Sequence, residues 1–125
     1  MIRMDYWPTG HGIDIVDLNR NEFNDLEFSK RYMTPAEYEY GKTHFADNDL
    51  ARRNYNAAIW SLKEAIIKAT NHEVIFSKIE IKLTSEAPQC QLENFHLLLS
   101  LSFERTMIIA SAIAYKIDNF SNKKA

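Results

Sequence analysis

The sequence predicts an α+β domain in which an antiparallel sheet packs against one long helix. A helical pattern of Ala, Leu, Ile and Lys spans residues 49–71, and strand-like segments at residues 91–102 and 106–117 fill the second half of the chain. Helices gathered on one side of an antiparallel sheet are the usual packing for this order of elements. At 125 residues the chain has room for one core, so we expect a single domain over residues 1–125.

The first elements follow from turn residues and apolar alternation. We expect an irregular lead-in over residues 1–11, because Pro8 and Gly10 interrupt it. Residues 12–18 are rich in Ile and Val and alternate in polarity, which predicts a strand. Residues 20–28 predict a short amphipathic helix that Asn and Asp residues weaken.

Two further helices are indicated by their start signals and composition. Thr34 can cap a helix, Pro35 suits the first helical position, and Glu37 completes a capping box. We expect that helix to end near Gly41. The long helix should then begin near Asp49 and run to about residue 71.

The second half of the chain reads as a sheet. We expect a strand at residues 74–83 and a turn at residues 84–89. Two further strands should follow at residues 91–102 and 106–117, and residues 121–125 should form a frayed polar tail. Residues 103–105 should join the last two strands. Residues 107–114 are almost wholly apolar, so a helix is the competing interpretation there.

Composition restricts the classes of partner and compartment. The hydrophobic fraction of 46% and charged fraction of 26% are typical of soluble globular proteins. A net charge of −2 gives no reason to expect nucleic acid or an anionic membrane as partner. Cys90 is the one cysteine, which excludes an internal disulfide and favours a reducing compartment, so we expect a cytoplasmic protein.

Two carboxylates stand inside otherwise apolar elements. Asp14 interrupts the first strand, and Glu64 lies in the middle of the long helix, with Lys68 one turn further along. Mg²⁺ is usually held by a few carboxylates together with water and substrate phosphates, so the group predicts a phosphoryl-transfer site. Asp17 should face away from Asp14, which favours a structural role. The alternative for Glu64 and Lys68 is an ordinary surface pair on a helix.

Three sequence blocks resemble a known family. Gly-Ile-Asp-Ile-Val occupies residues 12–16, Arg-Tyr-Met-Thr-Pro-Ala-Glu occupies residues 31–37, and Trp-Ser-Leu-Lys-Glu-Ala-Ile-Ile-Lys occupies residues 60–68. These blocks, in this order, resemble the 4'-phosphopantetheinyl transferases, in particular the short holo-acyl-carrier-protein synthase type. The resemblance implies transfer of the phosphopantetheine arm of coenzyme A to a serine of an acyl carrier protein.

The resemblance also implies roles for individual residues. Asp14 and Glu64 would ligate Mg²⁺, and Lys68 would neutralise phosphate charge. Catalytic roles fall to Glu64 and Lys68, and contacts to coenzyme A fall to Lys63, Lys68 and Ser100. Arg20, Lys30 and Arg31 would bind the carrier protein. Short members of the family form trimers with sites between subunits, so a homo-trimer is implied.

The second half of the chain departs from the family pattern. A family strand close to His-Val-Ser-Ile-Ser-His aligns with residues 98–103, where Leu98 and Phe103 replace both histidines. A Gly-Lys-Pro turn of the family aligns with Glu-Ala-Pro at residues 86–88 of this chain. The family often has a basic residue just before the aromatic residue of its signature helix, and Ile59 occupies that position here. Replacement groups are available elsewhere in the chain, namely Arg52, Arg53, Lys82 and His96.

Two alternative functions therefore stay open. One is a catalytically silent relative that binds the carrier protein but has lost productive binding of coenzyme A. The other is a metal-dependent hydrolase of a different phosphoanhydride, which only the two carboxylates favour.

Overall fold

An antiparallel sheet with a long helix on one face forms the body of the protein. A computed structural model describes residues 2–4 and 7–119, with side chains over residues 7–117. The strands are β1 (Ile2–Met4), β2 (Gly10–Asp17), β3 (Phe95–Glu104) and β4 (Met107–Asn119). The helices are α1 (Leu26–Tyr32), α2 (Pro35–His44) and α3 (Asp49–Ala69). The predicted α+β class, with a sheet against a long helix, is confirmed.

Strand β4 is the centre of the sheet. It pairs with β2 on one side and β3 on the other, and its far end pairs with β1, all antiparallel. The β3–β4 hairpin turns at Arg105, whose φ of 56° lies in the left-handed region. Residues 107–114 are therefore strand, as predicted, because alternate side chains of β4 face the buried side of the sheet.

The helix starts agree with their capping residues, but some ends differ from the prediction. The capping box of Thr34 and Glu37 is present, and α2 continues to His44 instead of ending near Gly41. The helix expected at residues 20–28 is instead a 3₁₀ turn over Asn21–Asn24 followed by α1. Asp25 causes the break, because its side chain caps α1 and its backbone is extended.

The prediction of a strand at residues 74–83 is wrong. This segment contains a 3₁₀ turn over Phe76–Lys78 and extended backbone, with one bridge between Lys82 and Gln89. Its apolar alternation reflects burial without strand pairing, since Ile81 is buried and donates its amide to the Glu37 carboxylate. The turn predicted at residues 84–89 lies within the loop that this bridge closes.

The lead-in expected over residues 1–11 is only partly irregular. Residues 2–4 form β1, and β2 already begins at Gly10. The polar tail expected at residues 121–125 lies outside the described residues.

Helix α3 packs against the inner face of the sheet at short distance. The facing positions of β4 are alanines, Ala110, Ala112 and Ala114, all fully buried. A Cβ atom on Gly12 would overlap the carbonyl oxygen of Ala65, so only glycine permits this approach of β2 to α3. The small residues thus fix the distance between strand and helix.

On the opposite, outer face of the sheet, exposed Ile and Leu side chains lie among polar ones such as His11 and Ser100, and none of the described helices covers them. Ile13, Ile15, Leu98 and Ile109 are 53%, 60%, 49% and 41% exposed. Within the described residues, no helix is long and apolar enough to cross a membrane.

Candidate active site

Asp14 is placed by the close packing of β2 on α3. It shares the inner face of β2 with Val16, which is 2% exposed, as its position in the alternation predicts. Its side chain is 16% exposed. The Oδ2 atom is buried and has no hydrogen-bond partner. A buried carboxylate oxygen without a partner costs free energy in a folded protein, so this atom points to a cationic ligand.

Lys68 and Glu64 meet Asp14 from α3. The Lys68 ammonium donates to the Ile13 carbonyl at 2.9 Å and lies 3.4 Å from Asp14 Oδ1. Its side chain is 47% exposed, so solvent and a phosphate can reach it. The structure therefore brings Asp14, Glu64 and Lys68 together.

The electrostatic environment of Glu64 is that of a crowded anionic site. Burial and the neighbouring Asp14 carboxylate raise the pKa of Glu64, whereas Lys68, His72 and Arg20 act to lower it. His72 follows α3, which ends at Ala69, and its own φ of 65° lies in the left-handed region. Helical spacing from Glu64 therefore does not account for its place beside the site.

The residues at this site fit a hard divalent cation. Two carboxylates, one with an unpartnered oxygen, are the oxygen ligands that Mg²⁺ takes while it retains water and phosphate oxygens. Over residues 7–117, no group of three or more His, Cys, Asp or Glu side chains is arranged to hold a metal. The further ligands would therefore come from substrate and water.

Asp17 lies on the exposed side of β2, as predicted. Its carboxylate accepts the amide of Asn19 and so supports the turn after the strand. This contact is structural and leaves Asp17 outside the site.

Lys63 does not lie with the other predicted site residues. Its ammonium is fully buried, 2.7 Å from Glu37 Oε1, and it donates to the Tyr32 carbonyl at 2.6 Å. Glu37 also accepts the amides of Thr34 and Ile81. Every partner of Lys63 is internal, so the structure corrects the expectation that Lys63 contacts coenzyme A.

Ser100 lies at a separate cavity on the other side of β4. This cavity, which we call the aromatic pocket, has a volume of about 520 Å³ between α3, β3 and the 83–88 loop. Its rings are those of Phe45, Tyr55 and Phe103. Since β4 separates β3 from β2, the structure does not bring Ser100 to Asp14 within one chain.

The aromatic pocket carries the departures from the family pattern. Glu86, Ala87 and Phe103 all line it. Among the described residues, no Lys, Arg or His lines this pocket. Its lining combines aromatic and aliphatic residues with the polar residues Asn54, Thr84 and Ser100 and the carboxylate of Glu86.

The replacement groups considered from the sequence lie elsewhere. Arg52 stacks over the Tyr38 ring at 5.4 Å, and Arg53 donates to Asn19 and Asn54. Both arginines line a different cavity, and Lys82 lines two others. His96 lies near Tyr115, and Ile59 is fully buried in the core.

The residues expected to bind a carrier protein lie on or beside α1. Arg20 pairs with Glu22 at 2.6 Å, and the hydrogen bond lowers the pKa of Glu22. Lys30 pairs with Glu27 at 3.3 Å, and Arg31 is exposed. Part of the basic charge at this surface is thus neutralised locally.

The fold and the carboxylate pair define a small α+β protein with a site suited to phosphoryl transfer. A sequence profile of the 4'-phosphopantetheinyl transferase superfamily matches residues 10–111. A holo-[acyl-carrier-protein] synthase of Mycoplasma pneumoniae is 38% identical over 113 residues, covering 84% of this chain and 92% of that protein. Its counterpart in Mycoplasma genitalium is 37% identical over 111 residues, covering 84% and 94%.

Solved structures agree with these relatives. A holo-ACP-synthase from Plasmodium yoelii superposes with a TM-score of 0.75 at 25% identity, covering 90% of this chain and 98% of that one. A holo-(acyl-carrier-protein) synthase from Bacillus anthracis, in complex with CoA (3',5'-ADP), gives 0.74 at 26% identity, covering 91% and 99%. The chain belongs to the 4'-phosphopantetheinyl transferase superfamily, which confirms the family and the class of enzyme predicted from the three sequence blocks.

Proposed function

We propose that the protein transfers 4'-phosphopantetheine from coenzyme A to a serine of an acyl carrier protein, with Mg²⁺ bound by Asp14 and Glu64. The observation that carries this proposal is the buried, unpartnered Oδ2 atom of Asp14 beside Glu64. The names of the relatives support the carrier protein as acceptor. The coenzyme A complex of the Bacillus anthracis protein supports the donor.

The proposed chemistry uses the side chains around Asp14. The serine oxygen of the carrier attacks the phosphorus that bears the pantetheine arm, and the bond from that phosphorus to 3',5'-ADP breaks. Lys68 is exposed enough to leave the Ile13 carbonyl and donate to a phosphate oxygen. We assign Glu64 a catalytic role through the metal ion that it would hold beside Asp14, and the serine proton would pass to a carboxylate of this site or to water. A bound Mg²⁺ would offset the charge of the pyrophosphate.

We also propose a homo-trimer with its sites between subunits. The aromatic pocket and the carboxylate site lie on opposite sides of β4, so one chain presents two halves of a site that face different ways. A ring of identical chains sets one side of each subunit against a different side of the next, which would join the two halves. The uncovered apolar face of the sheet, with Ile13 and Ile15, is the surface that such a ring could bury.

The carrier protein is proposed to dock on α1. Arg31 is exposed at the end of this helix, and Leu26 at its start is 40% exposed. A positive group beside an exposed apolar one suits an acidic partner helix.

Intact mass of an apo acyl carrier protein, incubated with the protein, coenzyme A and Mg²⁺, tests the activity. We expect a gain of one phosphopantetheine with the wild type, and no gain with Asp14→Asn or Glu64→Gln. Asp17→Asn is the matched control, because it removes the same charge from the exposed side of the same strand. No gain from folded wild-type protein would instead favour a carrier-binding protein without activity.

Light scattering coupled to gel filtration tests the trimer. We expect three times the chain mass of 14.6 kDa for the wild type. Ile15→Asp should give monomers without turnover, because it would place an unpaired carboxylate in the sheet face that the proposed trimer buries. A wild-type monomer with full activity would refute the shared site.

A further inference from the structure

A second cavity, which we call the arginine cavity, lies beside the start of α1 and has a volume of about 390 Å³. Its walls are the 3₁₀ turn over Asn21–Asn24, the start of α1, the loop before α3 and the first turns of α3. Of the described residues that line it, none belongs to the sheet. The walls therefore come from helices and loops of one chain, and burial of the outer sheet face in a ring does not involve them.

Two arginines line this cavity without a counter-ion from the chain. In the part of the chain with described side chains, neither Arg52 nor Arg53 forms an ion pair. The Arg52 guanidinium lies over the Tyr38 ring at 5.4 Å, and its buried Nε atom has no hydrogen-bond partner. Arg53 donates to the neutral side-chain oxygens of Asn19 and Asn54. Both guanidinium groups thus keep their full charge.

The lining of the arginine cavity has a net positive charge, unlike the basic groups beside it. Asp49 is the carboxylate that lines the cavity together with the two arginines. Arg20 and Lys30, by contrast, are paired with Glu22 and Glu27. A guanidinium without a counter-ion in a partly buried place attracts an anion more strongly than one that is already paired. The positive charge available on this side of the molecule is therefore concentrated in the cavity.

The surroundings of the cavity suit a protein side chain as its occupant. Leu26 lines the cavity from α1 and is 40% exposed. Arg53 also donates to Asn19, which precedes Arg20 in the chain. The cavity is therefore continuous with the surface to which we assign carrier docking. Arginine beside an exposed apolar residue is typical of protein interfaces, and guanidinium groups bind carboxylates through two parallel hydrogen bonds.

We propose that the arginine cavity receives an acidic side chain of the carrier protein, whose carboxylate is bound by Arg52 and Arg53. The two arginines then determine affinity for the acceptor and have no part in binding the donor. This inference rests on the proposed docking of the carrier on α1, and it extends that docking surface to the first turns of α3.

Steady-state kinetics with one apo acyl carrier protein and coenzyme A at fixed Mg²⁺ tests the proposal. The double variant Arg52→Met with Arg53→Met keeps the apolar stems and removes both charges. We expect the KM for the carrier to rise at least about tenfold. The KM for coenzyme A and kcat should change by less than about twofold, because only binding of the acceptor is weakened.

Lys42→Met with Lys78→Met is the matched control. It also removes two positive charges, from exposed positions on α2 and on the 3₁₀ turn over Phe76–Lys78, and the KM for the carrier should not change. An equal rise in this control would show that net charge, and not the cavity, attracts the carrier, which overturns the proposal.

Two further outcomes separate this inference from the proposed function. An unchanged KM for the carrier in the arginine variant overturns the inference while transfer itself stands. A rise in the KM for coenzyme A in place of the carrier would assign the arginines to the donor and overturns it as well. If the double variant does not fold, Arg53→Gln alone replaces it, with an expected rise in the carrier KM of about threefold.

If the wild type transfers nothing, the proposed function fails, and binding of the carrier still decides this inference. Calorimetry then measures the apo carrier protein against the wild type and the arginine variant without a donor. Binding that is weakened at least about tenfold in the variant supports the cavity as a carrier contact. Equal binding by both proteins, or no binding by the wild type, overturns it.

Discussion

Lys63 and Glu64 are neighbours in the sequence of α3, yet they belong to two opposite kinds of charged cluster. Lys63 and Glu37 are 0% and 1% exposed, lie 2.7 Å apart, and have all their partners inside the chain. Glu64, with Asp14 and Lys68, forms a half-exposed group in which one carboxylate oxygen has no partner.

Internal satisfaction of charges distinguishes the structural ion pair from the candidate ligand site. A buried pair persists when every donor and acceptor is satisfied, and Glu37 meets this condition by accepting amides from Thr34 and Ile81 as well. A cluster that leaves a buried acceptor without a partner from the chain has a place for water or an ion. The family motif contains both clusters side by side.

The largest effect is expected from Lys63→Met, which should lower the free energy of unfolding by about 3–5 kcal/mol because Glu37 would remain buried without its counter-charge. Urea denaturation measures the loss. The double variant Lys63→Met with Glu37→Gln should recover more than about 1 kcal/mol of it, since the uncompensated charge is removed.

Lys68→Met is the matched control for that variant. Its ammonium is 47% exposed, so we expect a change within about 0.5 kcal/mol. Equal losses from Lys63→Met and Lys68→Met would contradict the distinction between the two clusters.

A somewhat smaller effect is expected on metal affinity. Asp14→Asn should weaken Mn²⁺ binding by at least about 100-fold, or about 2.7 kcal/mol, because a carboxylate ligand is lost. Calorimetry with Mn²⁺ alone measures this without turnover. The thermal midpoint should not fall, because the buried unpartnered oxygen stabilises nothing in the chain by itself. Unchanged Mn²⁺ affinity would remove Asp14 from the ligand set.

Gly12→Ala should push strand β2 away from helix α3, and the carboxylate site depends on the contact between them. The added methyl group would overlap the Ala65 carbonyl, so we expect a loss of about 1–3 kcal/mol in unfolding free energy. Mn²⁺ affinity should fall as well, because Asp14 would move from Glu64 and Lys68. A variant as stable as the wild type would show that α3 and β2 are not in close contact.

The smallest effect concerns Cys90, which reports on the buried pair. Burial raises the pKa of the Cys90 thiol from 9.0 to about 11, and Glu37 acts in the same direction. At pH 8 we expect iodoacetamide to modify it at least about tenfold more slowly than a free thiol, since the thiolate reacts. In Lys63→Met the pKa of Cys90 should rise further and modification should slow, because Lys63 acts to lower this pKa while Glu37 acts to raise it. Rapid modification in the wild type would contradict this burial.

The family relationship and the carboxylate site followed from local sequence. The Glu64–Lys68 spacing placed these two side chains on one helix face, because the turn of a helix is set by neighbouring residues. The family resemblance of the Gly-Ile-Asp block supplied their pairing with Asp14. The capping box of Thr34 and Glu37 followed for the same reason. Periodicity failed at residues 74–83, where Ile81 is buried by contact with distant residues and pairs with no strand.

The role of Lys63 was decided by tertiary structure alone. Its position in the motif beside Glu64 favoured a ligand contact, but Glu37 and Tyr32, 26 and 31 residues earlier in the chain, occupy its ammonium. Local sequence determined the fold class and the family, because the order of elements and the three sequence blocks are features of neighbouring residues. Only the packing of α3 decided which charges are satisfied internally and that the aromatic pocket lies across β4 from Asp14, because both depend on contacts between residues far apart in sequence.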